Sequence, residues 1–226
     1  MKRIVNNPDN ITKENVNKIT NKVRAIILNN LQITIVDYSN TLMLPGGKLD
    51  QDENEKEALT RELKKELGID ISDDKIIPFI EYSNYLYNYP SRDGKIINKL
   101  VTTKYFIVKT SNKINTKKNS LTESEKSQTF KVLNENILFI NNTVANYNSN
   151  NPRWPYFKKE LIDILCELDY VFKDVLEEAF HKAIQDPNSW SKIPNTVAYI
   201  DNDNVIRLIK NNNSIKKCDA SRYQLN

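Results

Sequence analysis

Glutamates and glycines concentrated between residues 46 and 68 have the clearest chemical potential in this sequence. The segment from Gly46 to Ile69 reads GGKLDQDENEKEALTRELKKELGI and contains three of the four glycines of the chain. Its glutamates include Glu53, Glu57, Glu62 and Glu66. Carboxylate oxygens suit Mg²⁺ and Mn²⁺, which keep some water ligands and accept phosphate oxygens as further ligands. The segment therefore indicates a site in which a divalent cation holds a phosphate chain.

A helix is predicted to position these carboxylates. The apolar residues that repeat every fourth position are Leu59, Leu63 and Leu67. They predict one buried stripe, and Gly68 stands where glycine usually ends a helix. Glu62 and Glu66 are one turn apart beside this stripe, so they share a face at the border between core and solvent. Taken alone, such a pair is more typical of a solvated helix face, and a bound cation would be needed to offset its repulsion.

The two glycines before the helix have a role that matches. Gly46 and Gly47 allow a tight turn at the end of a strand and expose backbone N–H groups. Lys48 adds a positive charge near that turn. We therefore predict that Gly46, Gly47 and Lys48 contact bound phosphate.

Composition excludes several other classes. The chain has 226 residues, 33 Lys and Arg against 29 Asp and Glu, and a net charge of +4, which is far from that of a dedicated nucleic-acid binder. His181 is the only histidine, so a Ser-His-Asp or Cys-His nucleophile and a structural zinc site are not expected. No apolar run is long enough to span a bilayer, and the first residues lack a signal-peptide pattern. We expect a soluble, cytoplasmic protein.

Strands mixed with helices predict an α+β fold, an α/β/α sandwich. Residues 110–128 are polar and lysine-rich and predict a mobile loop. The predicted strands are Val23–Leu28, Ile33–Tyr38, Leu42–Leu44, Ile76–Tyr89, Lys99–Lys109 and Thr129–Leu133, the fourth and fifth forming a hairpin. Further predicted elements are a short helix around Ile137, helices Tyr156–Leu168 and Asp169–Gln185, and a hairpin of Val197–Ile200 with Val205–Ile209.

From Gly47 to Ile69 the chain resembles the Nudix box, whose pattern is G-x5-E-x7-R-E-U-x-E-E-x-G-U with U an aliphatic residue. The matching residues are Gly47, Glu53, Arg61, Glu62, Leu63, Glu66, Gly68 and Ile69. The one departure is Lys65. Leu44-Pro45-Gly46 before the box is also typical of the family. The surrounding strands agree with the family order, so the predicted division is an N-terminal segment 1–19, a Nudix domain 20–168 and an extension 169–226.

The resemblance implies a fold, which is a mixed sheet between helices, and it also implies a reaction. Nudix enzymes hydrolyse a nucleoside diphosphate linked to another group, splitting a phosphoanhydride with metal-activated water. In that scheme Glu62 and Glu66 are ligands of Mg²⁺ or Mn²⁺, and Glu53 is an accessory carboxylate. Arg61 ties the loop to the helix through an ion pair. Some members take a further carboxylate from a later loop, and Glu125 is the preferred candidate here, with Glu123 and Glu81 behind it.

Lys65 leaves alternatives open. The family usually has a metal-binding glutamate at this position, so lysine predicts weaker metal binding, fewer ions, or direct contact with phosphate. The chain is accordingly either an active pyrophosphohydrolase or a nucleotide-binding sensor of the same fold without catalysis. An RNA-cap-cleaving enzyme is a special case of the first alternative. RNA as a partner is not specifically indicated. The extension 169–226 is predicted to serve a protein interaction or a homodimer.

Other side chains have weaker indications. Arg24 and Arg153 could reach a substrate phosphate, but the sequence does not place them. Trp154 is predicted to be a packing anchor. The near-alternate tyrosines predict a packed strand face more than a base-stacking pocket; they are Tyr82, Tyr85, Tyr87 and Tyr89.

Overall fold

The computed structural model describes residues 1–29, 32–91, 93–126, 128–137, 140–171, 196–200 and 206–210. The chain divides into two compact units, Met1–Leu165 and Cys166–Asn226. Within the described residues, no helix combines the length and the apolar character that a bilayer crossing requires.

An eight-stranded mixed sheet forms the frame of the first unit. Its strands are β1 (Lys2–Asn6), β2 (Lys18–Asn29), β3 (Gln32–Tyr38), β4 (Leu42–Met43), β5 (Gly46–Lys48), β6 (Lys75–Pro90), β7 (Ile96–Lys109) and β8 (Phe130–Asn136). They are ordered β1-β6-β7-β2-β3-β4, with β5 paired to β2 and β8 paired to β3. The β1–β6 and β2–β7 pairs are parallel and the other pairs are antiparallel. This mixed sheet confirms the α+β class.

Within the described part of the chain, four helices accompany the sheet: α1 (Glu55–Leu67), α2 (Glu123–Lys126), α3 (Ile140–Asn146) and α4 (Trp154–Val171). Successive strand residues point to opposite faces of a sheet, and two neighbours on β7 show which helix lies on which face. Phe106 packs in the cluster that contains the leucines of α1. Tyr105 instead donates a hydrogen bond to Glu160 of α4 at 2.6 Å. The sheet therefore lies between α1 and α4, as the predicted sandwich requires.

Helix α1 has both ends defined by its sequence. Asn54 and Glu57 form a reciprocal capping box at the start, and Gly68 ends the helix with φ of 66°. The predicted stripe is confirmed, because Leu59, Leu63 and Leu67 are fully buried. Burial of each leucine contributes roughly 2 kcal/mol to stability. The helix that presents Glu62 and Glu66 is thus fixed by the core.

The segment 110–128 differs from the predicted loop. It contains a 3-10 turn, Thr116–Lys118, and α2. The N–H groups of Asn115 and Ser120 donate to the carbonyls of Leu67 and Lys65, both at 2.9 Å. These bonds satisfy carbonyls at the end of α1 that a helix leaves without partners.

Most predicted strands and helices are present with extended bounds. The β6–β7 hairpin and the helix from Tyr156 are confirmed. The short helix expected around Ile137 was placed too early, since α3 begins at Ile140. Strand β1 was missed. In the second unit, β9 (Thr196–Ile200) and β10 (Ile206–Lys210) form the predicted antiparallel hairpin, whereas most of the predicted helix 169–185 and His181 lie outside the described residues.

Candidate active site

A cavity of about 550 Å³ opens beside the glycine turn and α1. Gly46, Glu62, Lys65 and Glu66 form one wall. The remaining lining residues are Lys22, Arg24, Tyr38, Ser39, Thr41, Met43, Gln128, Asn151, Arg153 and Phe157. The two predicted metal-ligand carboxylates therefore share a cavity with several cationic and polar side chains from distant parts of the chain.

Strand β5 brings the glycine turn against α1. Gly47 pairs with Val23 and Gly46 with Arg24 on β2. Gly46 has φ of 133°, and a Cβ there would lie 2.3 Å from the carbonyl oxygen of Val23. A Cβ on Gly47 would lie 2.3 Å from Cδ of Glu62. Both positions require glycine, the first for its backbone conformation and the second because Glu62 approaches the turn so closely.

Arg61 joins the loop to the helix, as expected. Its Nε lies 2.7 Å from Glu53 Oε1 and its Nη2 2.8 Å from Glu53 Oε2, a two-point ion pair. Nη2 also donates to the Lys48 carbonyl at 3.0 Å, and Nη1 donates to Glu62 Oε1 at 2.6 Å. The hydrogen bond from Arg61 lowers the pKa of Glu53, and that bond in turn raises the pKa of Arg61. Arg61 therefore fixes the position of Glu62 from outside the cavity.

Glu62 is buried, with 4% of its surface exposed. Its Oε1 accepts the hydrogen bond from Arg61, while Oε2 forms an ion pair with Lys65 Nζ. This Oε2 nevertheless accepts no well-formed hydrogen bond. A buried carboxylate oxygen in this state has capacity for a further electrophilic partner.

Glu66 is the second carboxylate of the acidic wall, and as a whole residue it is half-buried. The N–H of Gly46 donates to Glu66 Oε2 at 2.9 Å. The pKa of Glu66 is raised to about 7, mainly by burial of the carboxyl group and in smaller part by the neighbouring Glu62. The Gly46 hydrogen bond and the positive charge of Arg24 act in the opposite direction. A carboxyl group of this kind gains from a nearby cation, because its charge is poorly solvated.

Two arginines line the same cavity as these carboxylates. Arg24 is buried and donates to the Leu44 carbonyl and, at 3.2 Å, to Met43 Sδ. Arg153 lies 5.7 Å from the ring centroid of Tyr89 and donates to the Pro90 carbonyl at 3.3 Å. Protein contacts thus hold both guanidinium groups at the cavity.

The structure separates the predicted site residues into two groups. Gly46, Glu62, Lys65 and Glu66 line the cavity. The cavity lining does not include Gly47, Lys48, Glu53 and Arg61. Lys48 is exposed. Gly47 and Arg61 support Glu62 directly, and Glu53 supports it through Arg61. Glu125 lies in α2, but its side chain is outside the part of the chain that the structure describes, so its role stays a prediction.

The structure supports a packing role for two of the four tyrosines of β6, because Tyr82 and Tyr89 are buried whereas Tyr87 is exposed. Tyr82 is fully buried and donates to Asp163 at 2.7 Å, and none of the four tyrosines of β6 is among the described residues that line the cavity. Trp154 is buried and packs edge-on to Tyr147, as a packing anchor should.

Sequence reasoning missed Lys22, Gln128 and Asn151 on the other cavity wall. Asn151 donates to the Ser39 carbonyl at 3.1 Å and to Thr41 Oγ1 at 2.9 Å. No local pattern marks these residues, because only the folded sheet brings them together.

One divalent cation fits the donors in the cavity. Proteins commonly bind Mg²⁺ through one or two carboxylates. Glu62 and Glu66 provide two carboxylates on consecutive helical turns, and Oε2 of Glu62 accepts no hydrogen bond. Among the described residues, no group of three or more His, Cys, Asp or Glu side chains could hold a metal. A divalent cation held by Glu62 and Glu66 would displace Lys65 from Glu62.

The fold is thus a mixed sheet between helices, with an acidic helix and a glycine turn at one cavity. A model of the NUDIX domain family matches residues 20–140, which is more than half of the chain. The chain belongs to the NUDIX domain family.

Individual proteins that resemble this chain share only part of its sequence or a low sequence identity. An RNA pyrophosphohydrolase of Campylobacter jejuni subsp. doylei is 37% identical over 79 residues, covering 32% of this chain and 46% of that protein. The match thus spans just under half of that relative. The E. coli ORF135 protein is 17% identical, with a TM-score of 0.41 and coverage of 66% of this chain and 91% of that one. A MutT NUDIX hydrolase of Burkholderia pseudomallei is 16% identical, with a TM-score of 0.39 and coverage of 53% and 84%.

Proposed function

We propose that this chain is a divalent-metal-dependent pyrophosphohydrolase that cleaves a phosphoanhydride bond in a nucleoside diphosphate derivative. The observation that carries the proposal is the cavity in which Glu62 and Glu66 meet cationic side chains from other elements. A polyphosphate chain needs such cations to balance its charge, and a metal needs the carboxylates. Membership of the NUDIX family supports the same reaction class.

In this proposal Glu62 and Glu66 hold Mg²⁺ or Mn²⁺. The bound ion would offset phosphate charge and make water a better nucleophile. The Gly46 N–H orients Glu66, while Gly47 and Arg61 hold Glu62 in place. Arg24, Lys65 and Arg153 face the phosphates, and Glu53 acts through Arg61 as an accessory carboxylate. Glu125 remains a candidate for a further carboxylate.

A substrate panel tests this proposal. ADP-ribose, dinucleoside polyphosphates, NADH, nucleoside triphosphates, 5′-triphosphate RNA and capped RNA would each be incubated with the protein and Mg²⁺ or Mn²⁺. We expect phosphate-bearing products from at least one substrate, lost with a chelator and in Glu66→Gln. The RNA substrates are included because the Campylobacter relative is named an RNA pyrophosphohydrolase. Absence of turnover on every substrate with either metal would contradict hydrolysis.

One observation favours a second candidate, a nucleotide-binding module with weak or no catalysis. Lys65 Nζ pairs with the Glu62 oxygen that a metal would need. Nucleotide binding without turnover in the panel would support this candidate, and metal-dependent product release would exclude it.

The proposal also covers the rest of the chain. We assign residues 20–168 to the catalytic domain and 169–226 to a separate module for a protein contact or a homodimer, in a cytoplasmic protein. Removal of residues 169–226 should then leave hydrolysis intact, and a change in sedimentation on truncation would support the dimer. Loss of hydrolysis on truncation would contradict the separate module.

A further inference from the structure

The cationic surplus of the cavity has a consequence for how phosphate is bound. Four cationic side chains, Lys22, Arg24, Lys65 and Arg153, line the cavity together with two carboxylates, Glu62 and Glu66. With glutamate at position 65, the usual residue of the Nudix box, the same cavity would hold three cations and three carboxylates. With lysine at position 65, the formal charge of the cavity lining is therefore +2 instead of zero.

Lys65 differs from the other cations in its partner. Arg24 and Arg153 are held by backbone carbonyls, and Lys22 lies 5.3 Å from the ring centroid of Phe157. Lys65 Nζ instead pairs with Glu62, three residues before it on the same helix face, and 19% of the Lys65 side chain is exposed. Its ammonium group thus stands at the oxygen where a divalent cation would bind.

Resting on the function proposed above, we propose that the Lys65 ammonium is a built-in phosphate ligand that replaces one divalent cation. Without metal, it neutralises Glu62 and leaves a cavity with an excess of positive charge, which binds a polyphosphate chain directly. When a single ion binds Glu62 and Glu66, Lys65 turns from Glu62 to a phosphate oxygen. The flexible lysine stem makes such a movement possible without a change in the helix backbone.

Two consequences separate this arrangement from one with glutamate at position 65. The chain should bind polyphosphate in the absence of any divalent metal. Glu62 and Glu66 together should bind one divalent ion. A charge-assisted hydrogen bond is worth about 1.5–3 kcal/mol, which corresponds to a change in affinity of about tenfold to a hundredfold.

The test uses tripolyphosphate and ADP as probes, titrated into the full chain by calorimetry, once with EDTA and once with Mn²⁺. The variants are Lys65→Met, which removes the charge, and Lys65→Glu, which creates a third carboxylate. Lys64→Glu is the matched control, because Lys64 is the neighbouring lysine but points outward, with 67% of its side chain exposed and Asp70 as its partner. Circular dichroism establishes that each variant is folded, and Lys65→Met keeps the test valid if Lys65→Glu fails to fold.

We expect wild type and Lys64→Glu to bind tripolyphosphate in EDTA with similar affinity, and Lys65→Met to bind at least tenfold more weakly. We also expect Lys65→Glu to bind more Mn²⁺ than wild type, which electron paramagnetic resonance of free Mn²⁺ measures directly. Binding that requires Mn²⁺ and is equal in wild type and Lys65→Met overturns this inference but leaves the proposed hydrolase intact. Absence of binding with and without Mn²⁺ overturns both.

Discussion

Replacement of Glu66 by glutamine should stabilise the metal-free protein above neutral pH. The carboxyl group is buried against Gly46, and its pKa is raised to about 7 from 4.5, mainly by burial. Between these two pH values the unfolded chain has released the Glu66 proton while the folded chain retains it. The folded state then binds more protons, so the free energy of unfolding falls as pH rises through this window. Glutamine keeps an oxygen for the Gly46 N–H and carries no charge.

The size of the effect follows from the shift. A difference of about 2.5 pH units, at 1.36 kcal/mol per unit, gives about 3 kcal/mol at pH 8, as an order of magnitude. In EDTA at pH 8, the free energy of unfolding of Glu66→Gln should therefore exceed that of wild type by up to this amount. Near pH 4.5 the two proteins should be almost equally stable. Addition of Mn²⁺ should narrow this difference, because a ligand at a hundred times its dissociation constant stabilises by about 2.7 kcal/mol and only wild type retains both carboxylates.

Urea unfolding at pH 5, 6, 7 and 8, with EDTA and with Mn²⁺, provides the measurement. Asp73→Asn is the control, since it removes one negative charge at an exposed position and should change stability little. Equal pH dependence in wild type and Glu66→Gln, or a variant less stable than wild type at pH 8 in EDTA, would refute the reasoning from burial.

Three further substitutions test the support of the site. Gly47→Ala should push Glu62 aside, lowering stability by about 1–3 kcal/mol and weakening Mn²⁺ binding at least tenfold; calorimetry with unchanged affinity would contradict the close contact. Arg61→Lys should lose the two-point pair with Glu53 and destabilise by about 1–2 kcal/mol, which urea unfolding would detect and an unaltered midpoint would contradict. Arg153→Met should raise KM with a smaller effect on kcat, in steady-state assays on the substrate found in the panel; a change in kcat alone would assign Arg153 another role.

The acidic wall of the site was predictable because it is local. The leucine repeat, Gly68 and the spacing of Glu62 and Glu66 place both carboxylates on one face of α1, and the structure has them there. The close approach of Gly47 to Glu62 was less evident, since it depends on the pairing of β5 with β2.

The opposite wall was not predictable by the same means. Lys22 comes from β2, Gln128 follows α2, and Asn151 and Arg153 directly precede α4, so they meet only through the sheet. Strand β1 was missed for a related reason, because KRIVN is short and polar and its parallel partner β6 lies more than 70 residues away. Non-local pairing leaves little trace in a local pattern.

Mn²⁺ binding to the full chain by calorimetry, compared between wild type and Glu66→Gln at pH 8, tests most directly whether Glu62 and Glu66 form a metal site. We predict one ion per chain for wild type and an affinity at least tenfold lower for Glu66→Gln. Absence of Mn²⁺ binding by wild type, alone and with ADP present, would contradict the account.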